Sequence, residues 1–227
     1  MTFKLDILRL EDYEAGVRKY WEVTRQRASC VQESEDEFPQ FPEIYKKRIP
    51  PHFTREDLRE IIKWKHSVDY RRQVNALDGL ASFPEDQIMG LTRDISDNVQ
   101  LSMNRFVSPS RGVGRISGVG IATTSAILTA ARPDLYAVID TYALAAIHHY
   151  FRPGWVNRVP RDAKGMFAAD WNSYSPYVGL CREEAAKIML IHKQPWTPRQ
   201  IDMALWGLGK QLEDDGLLGT RRNSRTP

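Results

Sequence analysis

Two stretches of the chain have the residue types and spacing for chemistry. The first is Ser117-Gly118-Val119-Gly120, which opens onto a run of small and β-branched residues from Ala122 to Ala131. Glycine tolerates positive φ and lets another backbone come close. With no Cβ to shield them, the amides of Val119, Gly120 and Ile121 can face outward together at a helix N-terminus, and a phosphate suits such a site. Arg111 and Arg115 lie just upstream and add positive charge. The second stretch delivers one acid. Pro133 ends the small-residue helix, Tyr136 to Ile139 is a short apolar run, and Asp140 follows where a helix N-cap is expected. Each feature also has a plain structural reading: a glycine turn between helices, and a capping aspartate.

Taken together, the stretch from Arg111 to Ile147 resembles the helix-hairpin-helix plus Pro/Asp signature of the base-excision DNA glycosylase superfamily. The residues that carry the resemblance are Ile116-Ser117-Gly118-Val119-Gly120, Thr123, Ser125-Ala126, Pro133 and Val138-Ile139-Asp140-Thr141. The resemblance implies that Gly118, Val119, Gly120, Ile121 and Thr123 hold a DNA phosphate. It implies a monovalent cation, K+ or Na+, on the carbonyls of Ser117 and Val119, with Arg111 and Arg115 near the DNA backbone. It makes Asp140 the catalytic carboxylate. There are three departures. Ala122 stands where bifunctional members carry the lysine that forms a Schiff base, so a monofunctional enzyme is expected, although a few relatives take that lysine from another helix and Lys65 is the candidate here. The loop has Pro133 without an accompanying glycine, and two cysteines in the whole chain rule out a four-cysteine iron–sulfur cluster.

The elements that must position these residues read as helices. Residues 10 to 28 form a charged amphipathic helix with Tyr13, Val17, Tyr20, Trp21 and Val23 inward. Residues 32 to 53 form an acidic, then proline-rich loop. Thr54 and Asp57 cap a helix that buries Leu58, Ile61, Ile62 and Trp64 and leaves Lys63, Lys65, His66, Arg71 and Arg72 as a basic cluster. Gly79 ends this element, and Ser82 caps a helix running from Pro84 towards Phe106, with Gly90 its weak point. Ser108-Pro109 opens a short helix to Ile116, the first of the hairpin, which spans about 108–131. Thr141 to Phe151 is the helix behind Asp140, and His148 and His149 read as structural. A loop over 152–176 carries Trp155 and Trp171 and, with Tyr174 and Tyr177, supplies candidates to stack a displaced base, core packing being the alternative for each. Helices follow from Tyr177 to Ile191 and from Thr197-Pro198 onward. Asp202 and Trp206 sit one turn apart on the last one. In glycosylases of this kind a side chain from a helix–helix junction wedges into the duplex, and the sequence does not locate it.

The 227 residues, 42% hydrophobic and 10% aromatic, support a substantial core. A net charge of +3 is compatible with nucleic acid without requiring it. Cys30 and Cys181 form no metal motif, no apolar run approaches the ~20 residues of a membrane span, and neither a signal peptide nor an internal repeat is recognisable. The expectation is an all-α chain, a single unit over 1–227 of two helical lobes around a cleft, with a flexible tail from about 215. The expected activity is hydrolysis of the N-glycosidic bond of a damaged, modified or mismatched base in double-stranded DNA. The expected protein is a cytoplasmic monomer (nucleoid-associated if bacterial) with no cofactor beyond the hairpin cation. The alternative is a non-catalytic helix-hairpin-helix module that uses Asp140 only as a cap.

Overall fold

A computed structural model describes residues 8–26, 36–93, 95 and 99–218. The chain is all-α: among the described residues there is no strand, only an isolated bridge between Arg161 and Phe167. No helix among them is long and apolar enough to cross a membrane. In order, the helices are α1 (Leu10–Arg25), α2 (Phe41–Lys46), α3 (Arg55–Lys65), α4 (Tyr70–Ser82), α5 (Glu85–Thr92), α6 (Val99–Phe106), α7 (Ile121–Ala131), α8 (Thr141–Ala146), α9 (Trp171–His192) and α10 (Pro198–Asp214).

Local chemistry sets several of these boundaries. The Thr54/Asp57 box at the start of α3 forms as expected, the Asp57 carboxylate accepting from the Thr54 amide at 2.7 Å. Thr197 and Gln200 cap α10 in the same way, with Pro198 at its first position. α9 begins six residues before its expected start. Asp170 and Ser173 build a capping box ahead of Trp171, and Pro176 is absorbed in the second turn, where few backbone bonds are lost.

Other boundaries differ because tertiary partners intervene. Gly79 does not end α4, which continues to Ser82. A Cβ at Gly79 would lie 1.9 Å from the Ser117 carbonyl oxygen, so this glycine is where the hairpin abuts the helix. Ser82 does not cap α5; its hydroxyl donates to the Asp78 carbonyl. The helix expected from Pro84 towards Phe106 stops at Thr92 rather than at Gly90. The Thr92 hydroxyl accepts from the Phe53 amide at 2.9 Å, and the Ile95 amide donates to the Tyr45 hydroxyl at 2.8 Å, so both groups are held by α2 and the turn after it. The helix expected over Pro109 to Ile116 contracts to a 3-10 turn, Gly112–Arg115, with Gly112 at φ 48. Behind α8 the chain widens into a π turn, Ile147–Phe151, which carries His148 and His149. Cys30, most of the acidic stretch and residues 219–227 lie outside the described residues.

α1 lies along α10, and α10 in turn packs on α8. Of the residues of α1 expected inward, Tyr13 and Tyr20 are buried, together with Gly16 and Thr24, while Val17, Trp21 and Val23 are half-buried; Gly16 and Gly207 let the two backbones meet. A Cβ on Gly16 would lie 2.3 Å from the Ala204 carbonyl oxygen. Tyr13 also ties α1 to α9, donating to Glu184 at 2.7 Å in the core. α3 packs on α7, and this contact brings the helix carrying Lys65 against the helix behind the hairpin.

Candidate active site around Asp140 and Lys65

Asp140 is held by its backbone as much as by its own contacts. The extended stretch before it is fixed at four successive polar groups. The Tyr174 hydroxyl donates to the Ala137 carbonyl at 3.0 Å, and the Tyr177 hydroxyl donates to the Val138 carbonyl at 3.1 Å. The Val138 amide donates to Asp202 Oδ2 at 2.7 Å, and the Ile139 amide donates to the Ser125 hydroxyl at 3.2 Å. Three helices therefore clamp three residues that make no strand pairing of their own, and every clamp is buried, where an unmet backbone group would be costly.

Asp140 then caps α8 as expected, Oδ1 accepting from the Tyr142 amide at 3.1 Å. Its other oxygen is not idle: Oδ2 accepts from Lys65 Nζ at 3.0 Å. The Lys65 side chain is 10% exposed and that of Asp140 28%, so the pair is largely withdrawn from solvent while the acid keeps one open side. The expected basic cluster is thus divided. Lys65 turns inward to the acid, His66 is buried, Lys63 pairs with Glu60, Arg72 pairs with Asp69, and Arg71 is exposed.

Both partners face a cavity of about 130 Å³. Its wall includes Tyr20 and Thr24 of α1, Trp64 and Lys65 of α3, Ser67 and Val68 of the following turn, Val138, Asp140 and Tyr142, and Arg199, Asp202 and Trp206 of α10. Tyr20 and Tyr142 both set their rings edge-on to Trp206, at centroid distances of 5.3 and 5.5 Å, so three aromatic rings make one continuous wall. The Trp64 indole N–H is buried and, among the described residues, has no hydrogen-bond acceptor. Burial pushes the Asp202 carboxyl up to about 6, against the opposing pull of Arg199 and of the Val138 amide.

The hairpin forms at the expected place. Gly118 takes φ 78, and its turn packs so closely on α4 that a Cβ would lie 2.6 Å from the Asn75 carbonyl oxygen. Gly120 is the N-cap of α7 with no side-chain cap; it is exposed, and open space surrounds the position of its missing Cβ. Three assignments change. The Val119 amide does not face outward; it donates to the Ile116 carbonyl at 3.1 Å within the turn. Thr123 is 1% exposed and its hydroxyl is hydrogen-bonded to His66 Nε2 at 2.8 Å, so it faces α3 rather than a ligand. The Ser117 carbonyl, one of two expected at a cation, abuts the Gly79 backbone. The His66 imidazole is lowered to about 4, by burial first and then by Lys65 and Arg72, so it is neutral at physiological pH. It joins the N-terminal turn of α7 to the end of α3, beside Lys65.

The aromatic candidates do not assemble around the acid. Tyr174 and Tyr177 are fully buried and serve as clamps. Trp155 lines a separate hollow with Arg158, Asp170 and Pro176, and Trp171, the first residue of α9, packs beside Gly114. The aromatic side chains beside Asp140 are instead Tyr20, Trp64, Tyr142 and Trp206. Their sequence signal was slight: Asp202 and Trp206 share one face of α10, and Tyr20 reads as an ordinary core residue. Of the backbone-contact candidates, Arg111 donates to the Asn104 carbonyl at 2.9 Å. Arg115 donates to Gln87 at 3.0 Å and lies over the Phe83 ring. Both remain exposed. Among the described residues no three His, Cys, Asp or Glu side chains gather as a metal site, and Cys181 is a buried free thiol.

The hairpin helix and the acid are therefore one construction, joined through Ser125 and Ile139 and through Thr123, His66 and the neighbouring Lys65. Comparisons with protein-family models, with curated proteins and with solved structures find no match to this chain.

Proposed function

We propose that the chain is a DNA glycosylase that hydrolyses the N-glycosidic bond of a damaged, modified or mismatched base in double-stranded DNA. The observation that carries this reading is the Lys65–Asp140 pair, 3.0 Å apart on the wall of an aromatic-sided cavity and tied through Ser125 to the helix behind the hairpin. Cleaving that bond builds positive charge on the deoxyribose. A fixed carboxylate stabilises the charge as it develops and orients the attacking water. The first-turn amides of α7, unshielded at Gly120, suit a backbone phosphate, and the base turns out of the stack into the cavity. Val68, on the turn between α3 and α4, and Tyr70, the first residue of α4, are 68% and 79% exposed, and Val68 lies on the cavity rim. We assign them the wedge that fills the gap the base leaves. Two helical lobes meeting at this cavity are part of the same proposal.

Ala122 supports hydrolysis without strand cleavage. The position of Lys65 favours one second reading, in which its amine displaces the base at C1′, the bonding pair leaves with the base, and ring opening gives an imine. The test is base release from a panel of modified and mismatched duplexes, run with and without borohydride. Release that leaves an intact abasic strand is expected. A trapped covalent adduct lost in Lys65→Ala would replace the hydrolytic reading with the imine one, and no release from any duplex would defeat both. In the same assay Tyr70→Ala is expected to slow release from paired duplex and to spare single-stranded substrate; equal loss on both would remove the wedge assignment.

A further inference from the structure

The cavity holds a second carboxylate to which the proposed chemistry assigns no task. Asp202 is 2% exposed, in mid-α10. Its Oδ1 accepts from Arg199 Nη1 and its Oδ2 from the Val138 amide at 2.7 Å. Of the four clamps on residues 137–139, this is the one made by a charged group, and charge-assisted hydrogen bonds are roughly twice as strong as neutral ones. Arg199 is itself committed. It donates to the Tyr20 hydroxyl at 2.9 Å and sits between the rings of Tyr20, Phe38 and Trp64, 5.2 to 5.5 Å from each centroid. The charged and titratable groups facing Asp202 from the surrounding elements are Tyr20 of α1, Lys65 of α3, Asp140, and Tyr174, Tyr177 and Cys181 of α9, besides Arg199 of its own helix.

We infer that Asp202 is the positioning residue of this site: as an anion it fixes the Val138 peptide, two residues before Asp140, and so sets where the Asp140 carboxylate stands beside Lys65. The inference rests on the reading of Asp140 as the catalytic carboxylate. Protonating Asp202 weakens its hold on the Val138 amide. It also removes the negative charge that faces the Arg199 guanidinium, and the cavity becomes more positive where positive charge grows on the sugar. Base release therefore falls on acidification, and the midpoint belongs to a carboxyl that burial has raised towards neutrality.

The experiment pairs single-turnover base release between pH 5 and 8 with protection of the Val138 amide against hydrogen exchange, in the full-length protein and in Asp202→Asn. Asparagine keeps a neutral acceptor for the amide and is the variant expected to fold; a thermal melt checks that it does. The wild-type rate is expected to drop below about pH 6. The variant is expected to lose that acid limb and to run on the order of tenfold to a hundredfold slower at pH 7.5, the scale of a small misplacement of a catalytic group. Val138 protection is expected to fall below pH 6 in the wild type and to lose that pH dependence in the variant. An acid limb unchanged in Asp202→Asn, or Val138 protection unaffected by pH and by the substitution, would overturn the inference. If the wild type releases no base at any pH, the enzymatic reading has failed, and the exchange arm alone still decides whether Asp202 governs the Val138 peptide.

Discussion

At the scale of single residues, the site sets two carboxylates in different surroundings. Asp140 has an open side, a helix amide and a lysine; Asp202 has burial and an arginine. Separating two acids by environment is how one site assigns them different work. The separation has a consequence for stability. A carboxyl raised from 3.8 to about 6 in the folded chain binds its proton more tightly folded than unfolded. Stability at this group is therefore highest when it is protonated, falls as the pH rises from about 4 to about 6, and is level above that. His66, lowered to about 4, contributes a slope of the opposite sign over the same range, so Asp202 is read as a difference: in chemical denaturation the stability of Asp202→Asn is expected to rise more steeply with pH than that of the wild type, and equal slopes in both would mean that Asp202 titrates alike in the folded and unfolded chain. The charged form that positions Asp140 is thus the form that costs stability, a common exchange at functional sites.

At the scale of elements, the two hairpin glycines do different things. Gly118 needs its freedom: at φ 78 any side chain is strained, and a Cβ would meet the Asn75 carbonyl oxygen of α4 at 2.6 Å. Gly120 has ordinary backbone and open space around it, so the fold leaves room for a side chain there. Gly118→Ala is expected to lower folding stability by about 1–3 kcal/mol. Gly120→Ala is expected to leave the melting temperature nearly unchanged while weakening affinity for duplex DNA. Melting curves and a DNA titration check the pair, and Gly120→Ala with undiminished affinity would count against a phosphate there. The glycine turn, the Asp140 cap, the box at Thr54 and the cap at Thr197 were legible in the sequence because each depends on residues within a few positions of one another. The cavity was not. Tyr20, Lys65, Asp140 and Asp202 come from four distant elements, and their meeting depends on glycine contacts such as Gly16 with Ala204 and Gly79 with Ser117 that no local pattern encodes. Tyr174 and Tyr177 could be read either as stacking candidates or as core for the same reason: an aromatic residue near a site in sequence carries no sign of whether its hydroxyl will bind a ligand or, as here, a buried carbonyl.

At the scale of the whole molecule, a net charge of +3 gives only a mild general attraction to a polyanion. On this account recognition is local, made by the bare N-terminus of α7 with the exposed Arg71, Arg111 and Arg115, while α1, α9 and α10 hold the cavity from behind. Gripping the strand and acting on the sugar are then separable tasks of one framework. The most direct measurement is single-turnover base release and duplex affinity compared between the wild type and Asp140→Asn. Asparagine keeps an oxygen to cap α8 and removes the charge. Release is expected to slow by at least about a hundredfold, with affinity for duplex DNA nearly unchanged. Release at the wild-type rate in Asp140→Asn would contradict the role given to Asp140.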